Sequence, residues 1–132
     1  MEVLQDIDRE LAWFLLERVE NKQYTWTYSE VADALSERLG RTINAHFHLS
    51  RPLGTVLLLC FDLDLPLISA VVRHGGTNRQ TIGHGFYELA CEVKPQYKTM
   101  DSFQAWQQEL ALVRACKDWS PLRNYLTRAS SN

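Results

Sequence analysis

Residues 50–73 read SRPLGTVLLLCFDLDLPLISAVVR and contain the two elements on which the predicted fold depends. The first is a helix, for which Ser50 is a suitable N-cap and Pro52 is tolerated in the first turn. Leucines at 57–59 make this helix apolar nearly all round, so we expect it to be covered on two sides. The second element is a strand over 67–73, where β-branched residues are frequent. The predicted core side of the helix carries Leu53, Val56, Leu57, Cys60 and Phe61.

Two further helices and a short strand are predicted before this stretch. Apolar residues recur at helical spacing over Asp6–Glu20, and acidic residues crowd its first turn, where the helix dipole favours them. The alternation YTWTY at 24–28 is typical of a short strand. A second helix follows, and the spacing between Thr27 and Glu30 is that of a capping box. Residues 41–49 are predicted to form an irregular connection.

The chain after the second strand is predicted to form a hairpin and then return to helix. A polar, glycine-bearing segment at 74–85 separates the strand at 67–73 from another strand-like run at 86–93. Two strands with such a segment between them predict a β-hairpin with a long tip. A helix capped by Asp101 and a last short helix that begins at Ser120 follow.

These elements together predict a mixed α/β (α+β) fold of the winged-helix type, with a long-tipped β-hairpin and an added C-terminal helix. The chain has 132 residues, of which 45% are hydrophobic, so it has the usual length of one domain with a core. We expect a single domain over 1–132, with a winged-helix-like core at 24–93 and a C-terminal helical extension at 99–127.

Four segments resemble motifs of a known family. Residues 24–39 are similar to a TYGELA segment, and RPLG at 51–54 is similar to an RAVG motif that begins a recognition helix. LPLI at 65–68 resembles the strand that follows, and GHGF at 83–86 resembles a late glycine-phenylalanine turn. Over residues 24–90 the chain therefore resembles the C-terminal winged-helix domain of alkylguanine-DNA alkyltransferases and alkyltransferase-like proteins.

This resemblance implies a DNA-binding shape without alkyl transfer. The nucleophile motif of the family is Pro-Cys-His-Arg, in which the histidine raises the thiolate content of the cysteine beside it. The corresponding residues 69–74 read SAVVRH and contain no cysteine. We therefore predict that the protein is not an enzyme and uses no cofactor.

A second resemblance covers more of the chain. LP at 65–66 before a strand, the glycine-rich segment at 74–85 and the pair Asp118-Trp119 resemble small bacterial and phage proteins that stand alone or accompany restriction-type nucleases. This resemblance implies a role in bacterial defence or in the response of a phage to it.

The net charge of −2 is unevenly distributed. Residues 1–37 carry three basic and nine acidic side chains, whereas 38–84 carry five arginines, two aspartates and all four histidines. An anionic ligand would be attracted to this middle section. We predict weak binding of nucleic acid, with DNA favoured and little sequence specificity, through Arg41, His46, His48, Arg51, Thr55, Arg73, His74, Asn78, Arg79 and His84.

The apolar surface of the helix after Ser50 supports an alternative function. If the C-terminal helix does not cover that surface, a protein partner or a second copy of the chain would cover it through Leu58, Leu59 and Arg79. The protein would then be an inhibitor or adaptor of the anti-defence type. Catalysis is a third, minor alternative: His46 and His48 have a spacing that some metal sites use, and Asp62 or Asp64 could provide oxygen. No third ligand is recognisable, so no metal is predicted.

The sequence predicts a cytoplasmic protein that does not bind a membrane. Its longest apolar run, Val56–Phe61, is far shorter than the roughly 20 residues that a bilayer span requires. The acidic start, MEVLQD, is unlike a secretory signal. The three cysteines, Cys60, Cys91 and Cys116, are odd in number and widely spaced, which indicates reduced thiols rather than disulfides.

Overall fold

Seven α-helices and two very short strands make up the part of the chain that the computed structural model describes, residues 4–73 and 84–130. None of these described helices is both long and apolar enough to cross a bilayer. In chain order the elements are α1 (Asp6–Glu20), β1 (Trp26–Thr27), α2 (Tyr28–Leu39), α3 (Ala45–His48), α4 (Ser50–Asp62), a first 3-10 turn (Ile68–Val71), β2 (Val72–Arg73), α5 (His84–Val93), a second 3-10 turn (Pro95–Thr99), α6 (Ser102–Ala115) and α7 (Ser120–Ser130).

The predicted bounds of α1 and the predicted capping box of α2 are confirmed. At the start of α1 the Asp8 carboxylate accepts a hydrogen bond from the Gln5 backbone N–H at 2.9 Å. Before α2, the Thr27 hydroxyl accepts from the Glu30 N–H at 3.1 Å, and the Glu30 carboxylate accepts from the Thr27 N–H at 2.8 Å. Gly40 caps the C-terminus of this helix, and its φ of 68° lies in the left-handed region that glycine adopts without strain.

The central helix of the fold is α4, because it packs against α1 and also against α5. The prediction that Phe61 also faces the core is wrong, because this side chain lies one turn beyond the exposed Leu58 on the outer side of the helix. The core residues of α4 are Pro52, Leu53, Val56, Leu57, Leu59 and Cys60.

The predicted mixed fold with a winged-helix hairpin is wrong. Residues 86–93 belong to α5 instead of a strand, and the described part of the chain is mostly helical. Its one sheet pairs β1 with β2 in parallel, with Trp26 opposite Val72. A hairpin requires antiparallel neighbours joined by a turn, so this pair cannot be the predicted wing. Most of the predicted long tip, residues 74–83, lies outside the described residues.

Most of the predicted strand at 67–73 is a 3-10 turn because side chains of α6 satisfy its backbone. The Trp106 indole Nε1 donates to the Ala70 carbonyl at 2.7 Å, and the Glu109 carboxylate accepts from the Leu67 N–H at 2.6 Å. Both contacts are buried, so these polar backbone groups have partners without a neighbouring strand. Only the last two residues of the stretch form a strand, β2.

The short helix α3 lies where an irregular connection is predicted, so that prediction is wrong for residues 45–48. Asn44 closes the turn at both ends. Its side-chain oxygen accepts from the Phe47 N–H at 3.1 Å, and its own N–H donates to His48 Nδ1 at 2.7 Å. A single turn held by such local bonds is too short for the periodic apolar pattern from which helices are predicted.

One acidic side chain of α6 lies in the core. The helix begins at its predicted cap, where the Asp101 carboxylate accepts from the Gln104 N–H at 2.8 Å. Further along, the carboxylate of the fully buried Glu109 accepts hydrogen bonds from Lys94 Nζ at 2.8 and 2.9 Å and from the Tyr97 hydroxyl. Glu109 therefore joins α6 to the N-cap residue of the first 3-10 turn, to the second 3-10 turn and to the residue that follows α5.

Candidate protein-binding surface

Two of the arginines predicted to contact nucleic acid are paired with carboxylates of α1. The Arg41 guanidinium donates to both carboxylate oxygens of Asp6, at 3.0 and 3.1 Å. The Arg51 guanidinium donates to Asp8 at 3.2 Å and to the Gln5 side chain at 3.1 Å. The prediction of an open cationic surface is therefore wrong for these two residues, because acidic residues in the first turn of α1 pair with both guanidinium groups.

The Arg51 contact is structural, because Asp8 is only 1% exposed. Arg51 Nη2 lies 2.9 Å from Asp8 Oδ1, in addition to the hydrogen bond from Nη1 to the other oxygen. An ionised carboxylate buried without such a partner would cost several kcal/mol, so Arg51 stabilises the contact between α1 and α4. Arg38 of the same positive section is also engaged, by Glu17 and by Glu10 at 3.6 Å.

Those other residues of the predicted nucleic-acid site that lie in described elements are spread over α3, α4, β2 and α5. Thr55 in α4 and Arg73 in β2 are half-buried. His48 Nδ1 already accepts the Asn44 N–H, so this nitrogen has a partner within the chain. Five predicted site residues lie outside the described positions or have side chains that are not described: His46, His74, Asn78, Arg79 and His84.

The pair formed by Asp6 and Arg41 can be tested through the pKa of the carboxyl group. The hydrogen bond from Arg41 holds the pKa of Asp6 below the usual value for aspartate. Such a group stabilises the fold above its unfolded pKa, and that contribution is lost as pH falls through the folded pKa. We expect an NMR titration to give Asp6 a midpoint below about 3.9 and Arg41→Ala to return it toward that value.

A midpoint that does not change in Arg41→Ala would rule out the pair. Both side chains are half exposed to water, so we expect only a small change in the free energy of unfolding.

Two apolar side chains, Leu58 and Phe61, are exposed on the outer side of α4. Leu58 is 38% exposed and Phe61 is 40% exposed. Because they are three residues apart on one helix, they are neighbours on its surface. The other leucine predicted to contact a partner, Leu59, is only 4% exposed, so that prediction is wrong: the next position along the helix turns it toward the core. We call Leu58 and Phe61 the α4 face.

Phe47 on α3 is a third exposed apolar residue in this part of the chain. It is 83% exposed, the highest value among the large hydrophobic side chains of the described residues, and α3 packs against α4. Sequence reasoning missed Phe47 and Phe61 as surface residues. The three-residue spacing from Leu58 was a usable signal for Phe61, whereas no sequence signal was available for Phe47, whose exposure depends on α3.

The exposed polar residues nearest the α4 face in sequence and packing are acidic. Asp62 is the last residue of α4 and Asp64 follows it, and both are exposed. Glu88 and Glu92 are the side chains of α5 that the structure describes as exposed, and α5 packs beside α4. Among the described residues, none of these four carboxylates forms an ion pair.

The described residues contain no group of three His, Cys, Asp or Glu side chains that could hold a metal ion. Comparisons with protein-family models, with curated proteins and with solved structures find no match for this chain. The described surface of the chain, with its exposed apolar pair on α4, is therefore the basis for inferring a function.

Proposed function

We propose that this chain is a protein-binding module, an adaptor or inhibitor without chemistry of its own, that docks a partner through the α4 face. The observation that carries the proposal is the exposure of Leu58 and Phe61 side by side on a helix whose opposite side is buried. Grouped apolar residues on a surface mark interaction sites more often than single ones do. Aromatic residues, phenylalanine included, are enriched in the cores of protein–protein interfaces.

A nucleic-acid role has less support than this. Affinity for nucleic acid comes largely from cations that neutralise phosphates, and the Arg41 and Arg51 guanidinium groups are already paired with α1. The exposed carboxylates at 62, 64, 88 and 92 would repel a phosphate backbone at the α4 face.

We also propose that the protein works in the cytoplasm. Cys60, Cys91 and Cys116 are free thiols, as is usual in a reducing compartment. Burial raises the pKa of the Cys60 thiol to about 12, so this cysteine stays protonated and unreactive inside the core.

The proposal is tested by comparing the proteins captured by matched variants. The tagged full chain, the double variant Leu58→Glu with Phe61→Glu, and the control Leu112→Glu are purified from cells that make the protein. Leu112 suits the control because it is 43% exposed and lies on α6. We expect the double variant to lose a captured protein by at least about tenfold, as a substituted binding hot spot would, and the control to retain it.

Circular dichroism and urea unfolding test whether the three chains fold alike. If the double glutamate variant does not fold, the variants Leu58→Ser and Phe61→Ser replace it in the capture experiment. Identical captured proteins for the wild type and the folded α4 variants would refute the proposal. Capture that is lost on nuclease treatment, and that the α4 variants do not alter, would favour the nucleic-acid role.

A further inference from the structure

We infer that the α4 face binds a basic amphipathic helix of the partner protein. This inference rests on the proposed function and adds the charge and shape of the partner. It is carried by the combination of an apolar pair on α4 with exposed acidic residues at the end of that helix and on the neighbouring α5.

The C-terminal end of α4 carries negative charge, which is unfavourable at that end of a helix. A helix C-terminus has a partial negative charge and is stabilised by basic residues, yet the last turn of α4 contains no basic residue and ends with Asp62. Asp64, two residues later, is exposed and adds a second negative charge at this end of the helix. A cationic partner at this position would offset the unfavourable charge that the free chain carries.

A second pair of acids lies on α5. Glu88 and Glu92 are four residues apart on one helix, a spacing at which like charges repel. Leu89 of α5 lies against Gly54 of α4, with its Cδ1 atom 3.0 Å from the position that a Cβ of residue 54 would occupy. Phe61 is seven residues beyond Gly54 and therefore lies on the same side of α4. The helix that carries the two acids therefore packs against the side of α4 on which Phe61 lies.

The described cations in and next to these helices have partners of their own. Arg51 is bound to the buried Asp8, and Lys94 is bound to the buried Glu109. Arg73 is half-buried in β2 and also has an interaction within the chain. No described cation of this region therefore pairs with any of the four exposed acids.

The charge also argues against a second copy of this chain as the occupant. A two-fold interface brings the same patch of both copies together, so Asp62 and Asp64 would approach the equivalent acids of the other copy. A facing helix fits the shape of the site, because side chains one turn apart form a ridge that packs into the grooves of another helix. Since the exposed apolar area is small, charge contributes much of the binding, which we expect to be weak and salt-dependent.

The test uses two synthetic helical peptides of equal length with the same leucine stripe. One peptide carries lysines and the other glutamates on either side of the stripe. Each is titrated into the isotope-labelled full chain, and binding is followed by NMR. We expect the lysine peptide to shift the signals of residues 54–64 and 88–92 and to bind at least about tenfold more tightly than the glutamate peptide. Its affinity should fall when salt is raised to about 0.5 M.

Matched charge variants then locate the effect. The double variant Asp62→Asn with Asp64→Asn is expected to bind the lysine peptide about three- to tenfold more weakly than the wild type does. The control Asp33→Asn with Glu37→Gln removes two exposed acids from α2 and should change the affinity by less than about twofold.

Equal binding of both peptides at residues 54–64 would overturn the inference about charge and leave the proposed function standing. Absence of binding by either peptide, or equal effects of the two double variants, would also overturn the inference. The capture experiment with Leu58 and Phe61 variants decides the proposed function independently of these outcomes.

Discussion

Replacing Glu109 with alanine is expected to lower the free energy of unfolding by about 3–5 kcal/mol, the usual cost of removing one partner of a buried ion pair. The fully buried Glu109 carboxylate accepts hydrogen bonds from Lys94 Nζ, the Tyr97 hydroxyl and the Leu67 N–H. Burial, followed by the hydrogen bond to Glu109, raises the pKa of Tyr97, so its hydroxyl remains a donor at ordinary pH. Without the carboxylate, these donors lose their shared acceptor in the core.

Urea unfolding followed by circular dichroism measures this loss. Tyr97→Phe removes one of the donors and keeps the carboxylate, so we expect a smaller loss of about 1–2 kcal/mol. Glu88→Ala provides the matched control, since Glu88 is an exposed acid, and should change the free energy by less than about 0.5 kcal/mol. If Glu109→Ala cost no more than Glu88→Ala, Glu109 would not be the acceptor that holds these segments together.

The helices that could be predicted from the sequence are those with local signals. Thr27 and Asp101 cap α2 and α6 as predicted, because a cap and its partner are three residues apart and both are visible in the sequence. Residues 86–93 lack such a signal, and a short apolar run is compatible with a strand or a helix. In the folded chain these residues are helical, and Leu89 packs against Gly54 of α4. The intrinsic secondary-structure propensity of residues 86–93 does not reveal this tertiary contact.

The predicted strand at 67–73 and the predicted cationic surface failed for a related reason. The side chains that decide both structures are distant in sequence: Trp106 lies 36 residues beyond Ala70, and Asp6 lies 35 residues before Arg41. Counting charges shows that the start of the chain is acidic and the middle basic, but the count does not show that the two are paired. The arginines that suggested a polyanionic ligand include Arg38, Arg41 and Arg51, and all three form ion pairs with carboxylates of α1.

Sequence reasoning also could not separate the three consecutive leucines of α4, because a helix that is apolar all round gives no direction to its core side. The fold separates them: Leu57 and Leu59 are buried, and Leu58 is exposed. This difference decides which leucine is available to a partner, and it can be measured directly.

Leu57→Ala is therefore expected to lower the free energy of unfolding by about 2–5 kcal/mol, because it removes a buried side chain and leaves a cavity that the core only partly fills. Leu58→Ala should cost less than about 1 kcal/mol, since Leu58 is 38% exposed whereas Leu57 is 1% exposed. The two variants have the same composition, so urea unfolding compares position alone. Equal losses would mean that Leu58 is covered in the folded chain, and the α4 face would then be closed to any partner.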